Sequence, residues 1–387
     1  EGEINRALAY SRELLSMDEA HPDGLRLCGM ALFERGADEE AEEYLRKALV
    51  ASPTNDSVRE KLALVRYRLG RYPETLELYP ELNLIPTTEP SLRLLKARCY
   101  LGQGNKDRAD EVVEEALAEC PFDTDALSLK ASVCQAKGDL INAEAALNRA
   151  IKTNPTVADL FRQRGEVLLA RKCIDRARLD LLAALERAPG DTAVFRLLGE
   201  TELEAGRLRQ ALDYLDKAVA QRPSWAEVHA LRARIYEELG DEQSALESLS
   251  NVCQLDDKDN SSRLRLGTLL LRKGDCDGAR QYLEEYLERS DDRVPALLAL
   301  ASLHEEKGDV SEARFYLREI LRAEGNRREI LIRLIELLFT SHRQDEAWSL
   351  LEETRVEQPS LPAELGQRAL EREDYPLARD LLRAAVG

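Results

Sequence analysis

Aromatic residues make up only 5% of the 387-residue chain, while charged residues reach 33%. That is the composition of amphipathic helices rather than of a β-sandwich or barrel. Long apolar runs are also missing: the greasiest stretch, Ile330 to Phe339, already contains Arg333 and Glu336, so no window offers the ~18 uninterrupted apolar residues of a membrane span. Positive charge is short. A formal net charge of −18 argues against nucleic acid, which is held mainly by Lys and Arg neutralising phosphates, and disfavours anionic membrane surfaces.

Seven cysteines (Cys28, Cys99, Cys120, Cys134, Cys173, Cys253 and Cys276) form an odd set with no C-x-x-C pair. They fit neither a zinc site nor a regular disulfide framework and read as small hydrophobes, which slightly favours a reducing, cytoplasmic compartment. Residue 1 is a glutamate with no cationic start or apolar core before it, so the segment reads as excised from a longer chain.

The four histidines (His21, His229, His304 and His342) are widely spread, without a second His or Cys at ligand spacing, so no metal site is expected. Asp257, Asp259 and Ser261 resemble the start of a calcium loop, but the following glycine is missing and Thr268 stands where its bidentate Glu belongs, leaving a solvated turn. Gly102, Gly104 and Lys106 lack phosphate-loop spacing and mark a helix turn. With no nucleophile elbow and no Ser/His/Asp or Cys/His set, neither catalysis nor a cofactor is expected.

What the chain has is a period. Stepping by 34 from Pro53 gives Thr87, Pro121, Pro155, Pro189, Pro223, Asp257, Asp291, Gly325 and Pro359, almost all turn formers. Twelve residues earlier stand Ala41, Thr75, Ala109, Ala143, Ala177, Ala211, Ala245, Ala279, Ala313 and Ala347. Seventeen earlier stand glycines, except Lys172 and His342; twenty-four earlier, small residues from Gly29 to Ala301, then Ile335; eight earlier, large apolar residues such as Leu45, Leu181 and Leu283. Each unit therefore reads as two helices. The glycine ends the first, and a following Asp, as at Asp139, Asp241, Asp275 and Asp309, caps the second. The proline column stops the second helix. Small residues at the two Gly/Ala columns should let paired helices approach closely, and stability must come from stacking of neighbouring units.

These columns resemble those of the tetratricopeptide repeat; unit 192–225 carries Phe195, Leu198-Gly199, Ala211, Leu215, Ala218 and Pro223 in the motif's places. The resemblance spans the chain and implies an all-α, right-handed superhelical solenoid with a groove lined mainly by the first helices. Residues 1–21 form a partial repeat, 22–361 ten repeats, and 362–387 a C-terminal helix pair. Ala7 lies one period before Ala41, and Ala378, Leu382 and Ala385 restore the register at the other end. Neither end carries an obvious polar capping helix, so the parent chain is expected to continue on both sides. Departures fall near the ends: Thr75, Pro80, Pro86 and Pro90 predict a kink or break at about residues 79–90, and Ile335 with His342 mark a degenerate unit.

On the family register the groove-facing residues include Arg162 with Glu166, Arg196 with Glu200, and Arg234 with Glu238, each spaced i,i+4. One reading makes them ordinary intrahelical ion pairs. The other makes the arginines a basic ladder for an acidic or extended peptide. Phe33 and Tyr67 are further candidates as apolar anchors, though core packing explains them as well. The carboxylate clamp of chaperone-binding members is absent, since its asparagine column reads Leu27, Lys61, Leu95, Leu129, Gln163, Leu197 and Leu231. The resemblance thus implies a non-catalytic scaffold for protein or peptide partners. An Arg-over-Lys bias suggests a bacterial source, with exopolysaccharide secretion or envelope assembly as the context; a periplasmic location would then sit uneasily with seven cysteines. The alternative is the substrate-recognition arm of a glycosyltransferase or sulfotransferase whose catalytic domain lies outside this segment.

Overall fold

The structure, a computed structural model, describes residues 2–78, 94–325 and 327–386. Every regular element among them is a helix, and the helices fall into two compact units, Glu1–Arg207 and Leu208–Gly387.

The first unit begins with Gly2–Met17 and continues as helix pairs: Pro22–Arg35 with Asp38–Ala51, Asp56–Arg68 with Tyr72–Leu76, Leu95–Gly102 with Lys106–Glu119, Thr124–Lys137 with Leu140–Thr153, and Ala158–Ala170 with Ile174–Arg187. It closes with Thr192–Glu204. The second opens with Leu208–Gln221 and adds five pairs: Ala226–Leu239 with Glu242–Leu255, Asn260–Arg272 with Cys276–Arg289, Val294–Glu306 with Val310–Glu324, Arg328–Thr340 with Gln344–Thr354, and Leu361–Glu371 with Tyr375–Val386. Within each unit, consecutive helices pack on one another and first helices also touch the first helices of neighbouring pairs.

Paired helices approach as closely as the columns suggest. A Cβ added to Gly29, Gly165 or Gly267 would lie 2.7, 2.7 or 2.8 Å from the Cγ of Leu45, Leu181 or Leu283. The small column of the first helix is thus the seat of the leucine column of the second. Ala41, Ala143, Ala177, Ala245, Ala279 and Ala313 are fully buried beside it. The aspartates after the turn glycines cap as expected, Asp139 accepting from Asn142 N at 3.1 Å and Asp241 from Ser244 N at 3.2 Å.

The pair Arg328–Thr340 and Gln344–Thr354 forms in full despite its departures: Ile335 is buried, and His342 adopts φ 60 in the glycine's place. The last pair steps by 31 residues rather than 34, because three positions are lost between Leu351 and Gly366, where Gln344–Thr354 ends early and Leu361–Glu371 starts late at 11 residues each; Gly366 faces Leu382 there. In unit 56–89 the second helix closes at Leu76, and Thr75 fits its fully buried place by donating its hydroxyl to Arg71 O at 2.8 Å. Residues 79–90, where a kink or break is expected, lie outside the described residues.

Candidate partner-binding site

Arg162 and Glu166 sit on Ala158–Ala170, and Arg196 and Glu200 on Thr192–Glu204, at equivalent places in the first unit; on Ala226–Leu239 in the second, Arg234 and Glu238 lie one turn further along, with Arg234 in the column of Glu166 and Glu200 and Ala230 in that of the other two arginines. Each arginine closes on its own helix: Arg162 lies 3.8 Å from Glu166, Arg196 3.0 Å from Glu200 and Arg234 3.5 Å from Glu238. Arg162 also donates through Nε to Asp159 at 2.9 Å. The intrahelical pairs are therefore formed, and the guanidiniums are matched by carboxylates. Gln163, in the clamp column, bonds Asp159 and accepts from Ser128 Oγ at 2.9 Å.

Phe33 is only 6% exposed, and Arg68 Cζ lies 4.1 Å from its ring centroid. Tyr67 is half-buried against Ala63, Leu95 and Cys99, with the Tyr72 ring 5.8 Å away; burial pushes its hydroxyl pKa up. Core packing accounts for both rings.

A different set of polar residues, unremarked in the sequence, crosses between repeats. The position after the alanine column on each second helix meets the next pair. Glu42, buried, accepts from Arg66 Nε at 3.0 Å and from Arg71. Glu144 takes Arg171 and Arg176, and Asp110 takes Lys130 Nζ at 2.6 Å and Lys137 Nζ at 2.9 Å. Two hydrogen bonds from these lysines hold the Asp110 carboxyl below its usual range, outweighing the upward pull of burial.

At the next junction the signs exchange. Arg178 occupies the register of Glu42, and fully buried Glu202 that of Arg66; Arg178 Nε donates to Glu202 at 2.6 Å, and Arg207, in the register of Arg71, donates to the same carboxylate. The second unit has Arg280 against His304 at 3.4 Å, and Arg314 against Glu346 at 2.5 Å. The signal that could have found these is a charge of opposite sign in the next unit, 24 residues on for Glu42 with Arg66 and Arg178 with Glu202 but 20, 27, 29 or 32 residues away in the others. It is masked because charged residues at either place read as ordinary solvated helix faces.

The aspartates of the calcium-like segment are engaged elsewhere: Asp259 caps Ser262 N at 3.1 Å, and Asp257 holds Arg263 and Arg289 at 2.6 Å each. Among the described residues no group of His, Cys, Asp and Glu could hold a metal ion, and no helix is long and apolar enough to cross a membrane. Cys28, Cys99 and Cys134 are buried and Cys120 is exposed; burial pushes the Cys99 and Cys253 thiols to about 11.

Stacked helix pairs with a small-against-leucine contact in each pair and charge bridges between pairs define a helical-repeat interaction module. Three models described as Tetratricopeptide repeat match the chain: one over residues 1–56, 129–192 and 264–355, a second over 168–235 and a third over 226–259. The first alone covers more than half of the 387 residues, and the chain belongs to the tetratricopeptide repeat family.

Among solved structures, the C-terminal part of a TPR repeat-containing protein from Cytophaga hutchinsonii matches at 16% identity and TM-score 0.51, covering 62% of this chain and 98% of that one. The human IFIT1 dimer with PPP-AAAA matches at 16% identity and TM-score 0.50, covering 100% of this chain and 94% of that one. At these identities the likeness is one of fold. The family fold is typically non-catalytic, and its repeats serve as scaffolds for protein or peptide partners.

Proposed function

We propose that this chain is a non-catalytic scaffold that organises a multi-protein assembly, in a bacterial exopolysaccharide secretion or envelope assembly system. The Arg-over-Lys bias and the length of the array support that context. The observation that carries the binding mode is the closure of Arg162, Arg196 and Arg234 on their own glutamates. A surface i,i+4 pair is worth only about 0.2–0.5 kcal/mol, so a partner group can displace it, and each pair presents a donor beside an acceptor. Such pairs suit the polar backbone of an extended segment better than a purely acidic peptide, which the net charge of −18 also opposes.

Capture of partners from a bacterial lysate tests this, with Arg162→Glu/Arg196→Glu altering the first unit and Arg234→Glu the second. Recovery should fall for each variant while the far-ultraviolet dichroism stays unchanged. Full recovery with all three reversed would exclude these rows and leave the scaffold itself standing.

The presence of PPP-AAAA on the human IFIT1 relative raises RNA as the competing ligand. The acidic balance argues against it here, because phosphate binding draws on uncompensated Lys and Arg. A fluorescent 5′-triphosphate tetraadenylate is expected to show no anisotropy change with this protein, and a saturable rise at physiological salt would replace the proposal.

A further inference from the structure

At one junction of the second unit an aromatic ring takes the place of the bridging charge, and a cleft opens there. Trp348 holds the place that Glu42, Glu144 and Arg178 hold elsewhere, and opposite it, where Arg66 or Glu202 would reach across, stands Ala369. An indole facing a methyl group leaves about 380 Å³ between Arg328–Thr340, Gln344–Thr354 and the last helix pair, within the range of small ligand sites. Phe339 meets Trp348 edge-on, with centroids 5.5 Å apart and planes at 78°, and Leu365, Leu377 and Leu381 complete an apolar floor.

The rim is acidic. Glu336, Asp374 and Asp380 line it; Arg372 Nη2 donates to Glu336 Oε2 at 2.8 Å, and Asp380 meets its exposed neighbour Arg379 at 3.1 Å. Glu336 Oε1 is buried without a hydrogen bond, with Arg368 Nη1 at 3.7 Å. Asp374, and Asp380 once its weak exposed pair with Arg379 is displaced, favour a cation beside the open aromatic face, attracted both to the rim and to the indole.

We propose that this cleft docks a basic peptide segment of a partner protein, with an aliphatic or aromatic anchor on the Phe339–Trp348 floor and a neighbouring Arg or Lys over Trp348 toward Asp374 and Asp380. The site lies wholly in the second unit, and its nature does not depend on the arginine rows proposed above. The same register forms a shallower groove at Leu246, Leu270, Asp275 and Tyr282, without the aromatic pair, which makes it an internal comparison.

The test uses the whole chain labelled with 5-fluorotryptophan, whose only two tryptophans are Trp225 and Trp348; Trp225→Phe assigns the fluorine resonances. Titration with acetyl-Leu-Arg-Leu-Arg-amide should shift the Trp348 resonance saturably and leave Trp225 unmoved, while acetyl-Leu-Glu-Leu-Glu-amide moves neither. Ala369→Leu fills the cleft and should abolish the shift. Asp380→Arg, a change at an exposed position, should weaken binding at least about tenfold through like-charge repulsion and keeps the test decisive if the filled variant does not fold. An unmoved Trp348, an equal response to the acidic peptide, or full binding by Asp380→Arg overturns the proposal. So does a Trp348 shift that follows protein concentration without peptide, which would assign the cleft to a second copy of the chain. Loss of the arginine-row effect in partner capture would leave this result untouched.

Discussion

Three turns between paired helices lack their glycine, and the backbone does not change to suit: Lys172 has φ 59, His342 φ 60 and Glu373 φ 63, beside Gly138 at φ 83. For a side chain with a Cβ that conformation costs about 1–2 kcal/mol, against about 0.5–1 kcal/mol of extra chain entropy lost when a glycine is ordered. His342→Gly should therefore raise stability modestly, by about 0.5–1 kcal/mol in urea unfolding, and an unchanged midpoint would show that the turn relaxes freely. The thiols add a pH-dependent prediction. Burial holds the Cys99 and Cys253 thiols at about 11 in the fold, above the ordinary thiol value of 9.0. Because the folded pKa is the higher, the unfolded chain loses its protons first, and the contribution is intact below about pH 9 and lost as pH rises toward 11. In a native thiol-reagent time course at pH 8, Cys120 should react first and Cys28, Cys99 and Cys134 only on unfolding. At this scale the sequence exposes the departures at Lys172 and His342 as breaks in a column. It does not expose their conformation, since only the flanking helices force a left-handed turn on a residue that resists it.

The element-scale contact is the small column against the leucine column. Gly165→Ala should cost about 1–3 kcal/mol by overpacking, because Leu181 Cγ lies 2.7 Å from the new methyl position. Leu181→Ala should then cost less in that background than in the parent, since the two substitutions share one volume. Additive losses in a thermal-melt cycle would contradict the contact. Both columns are legible from spacing alone, because buried apolar residues repeat every 34 positions. The charge bridges are not: Glu42 and Arg66 look like two polar helix residues until the stack brings them together. Their register makes a sharper prediction. Arg178→Glu alone leaves Glu202 buried against a second carboxylate and should destabilise strongly, by about 3 kcal/mol or more. Adding Glu202→Arg recreates beside Arg207 the arrangement of Glu42, Arg66 and Arg71, and should recover most of that loss. A double variant no better than the single one would mean that the junctions are not interchangeable in this way.

Across the whole molecule, stability follows neighbours rather than one shared core. Hydrogen exchange should be slowest in helices packed on both sides, such as Leu140–Thr153, and fast in the five-residue Tyr72–Leu76 and in Tyr375–Val386; uniform protection would contradict a modular stack. The 34-residue step is readable from sequence through both units, whereas the 31-residue step into the last pair becomes evident only when Gly366 is seen against Leu382. The candidate arginines were legible as positions but not as pairs already closed, because spacing cannot say which way a guanidinium turns. The exchange of sign between the Glu144 and Arg178 junctions bears finally on assembly. Identical columns invite a folding chain to stack one repeat out of step, since every leucine would still find a small residue to cover. A slip at Glu144, however, would bring it against Glu202, carboxylate to carboxylate, in a place that admits little water. The charges act as a checksum on the order of the repeats, rejecting a misreading that the apolar columns would accept.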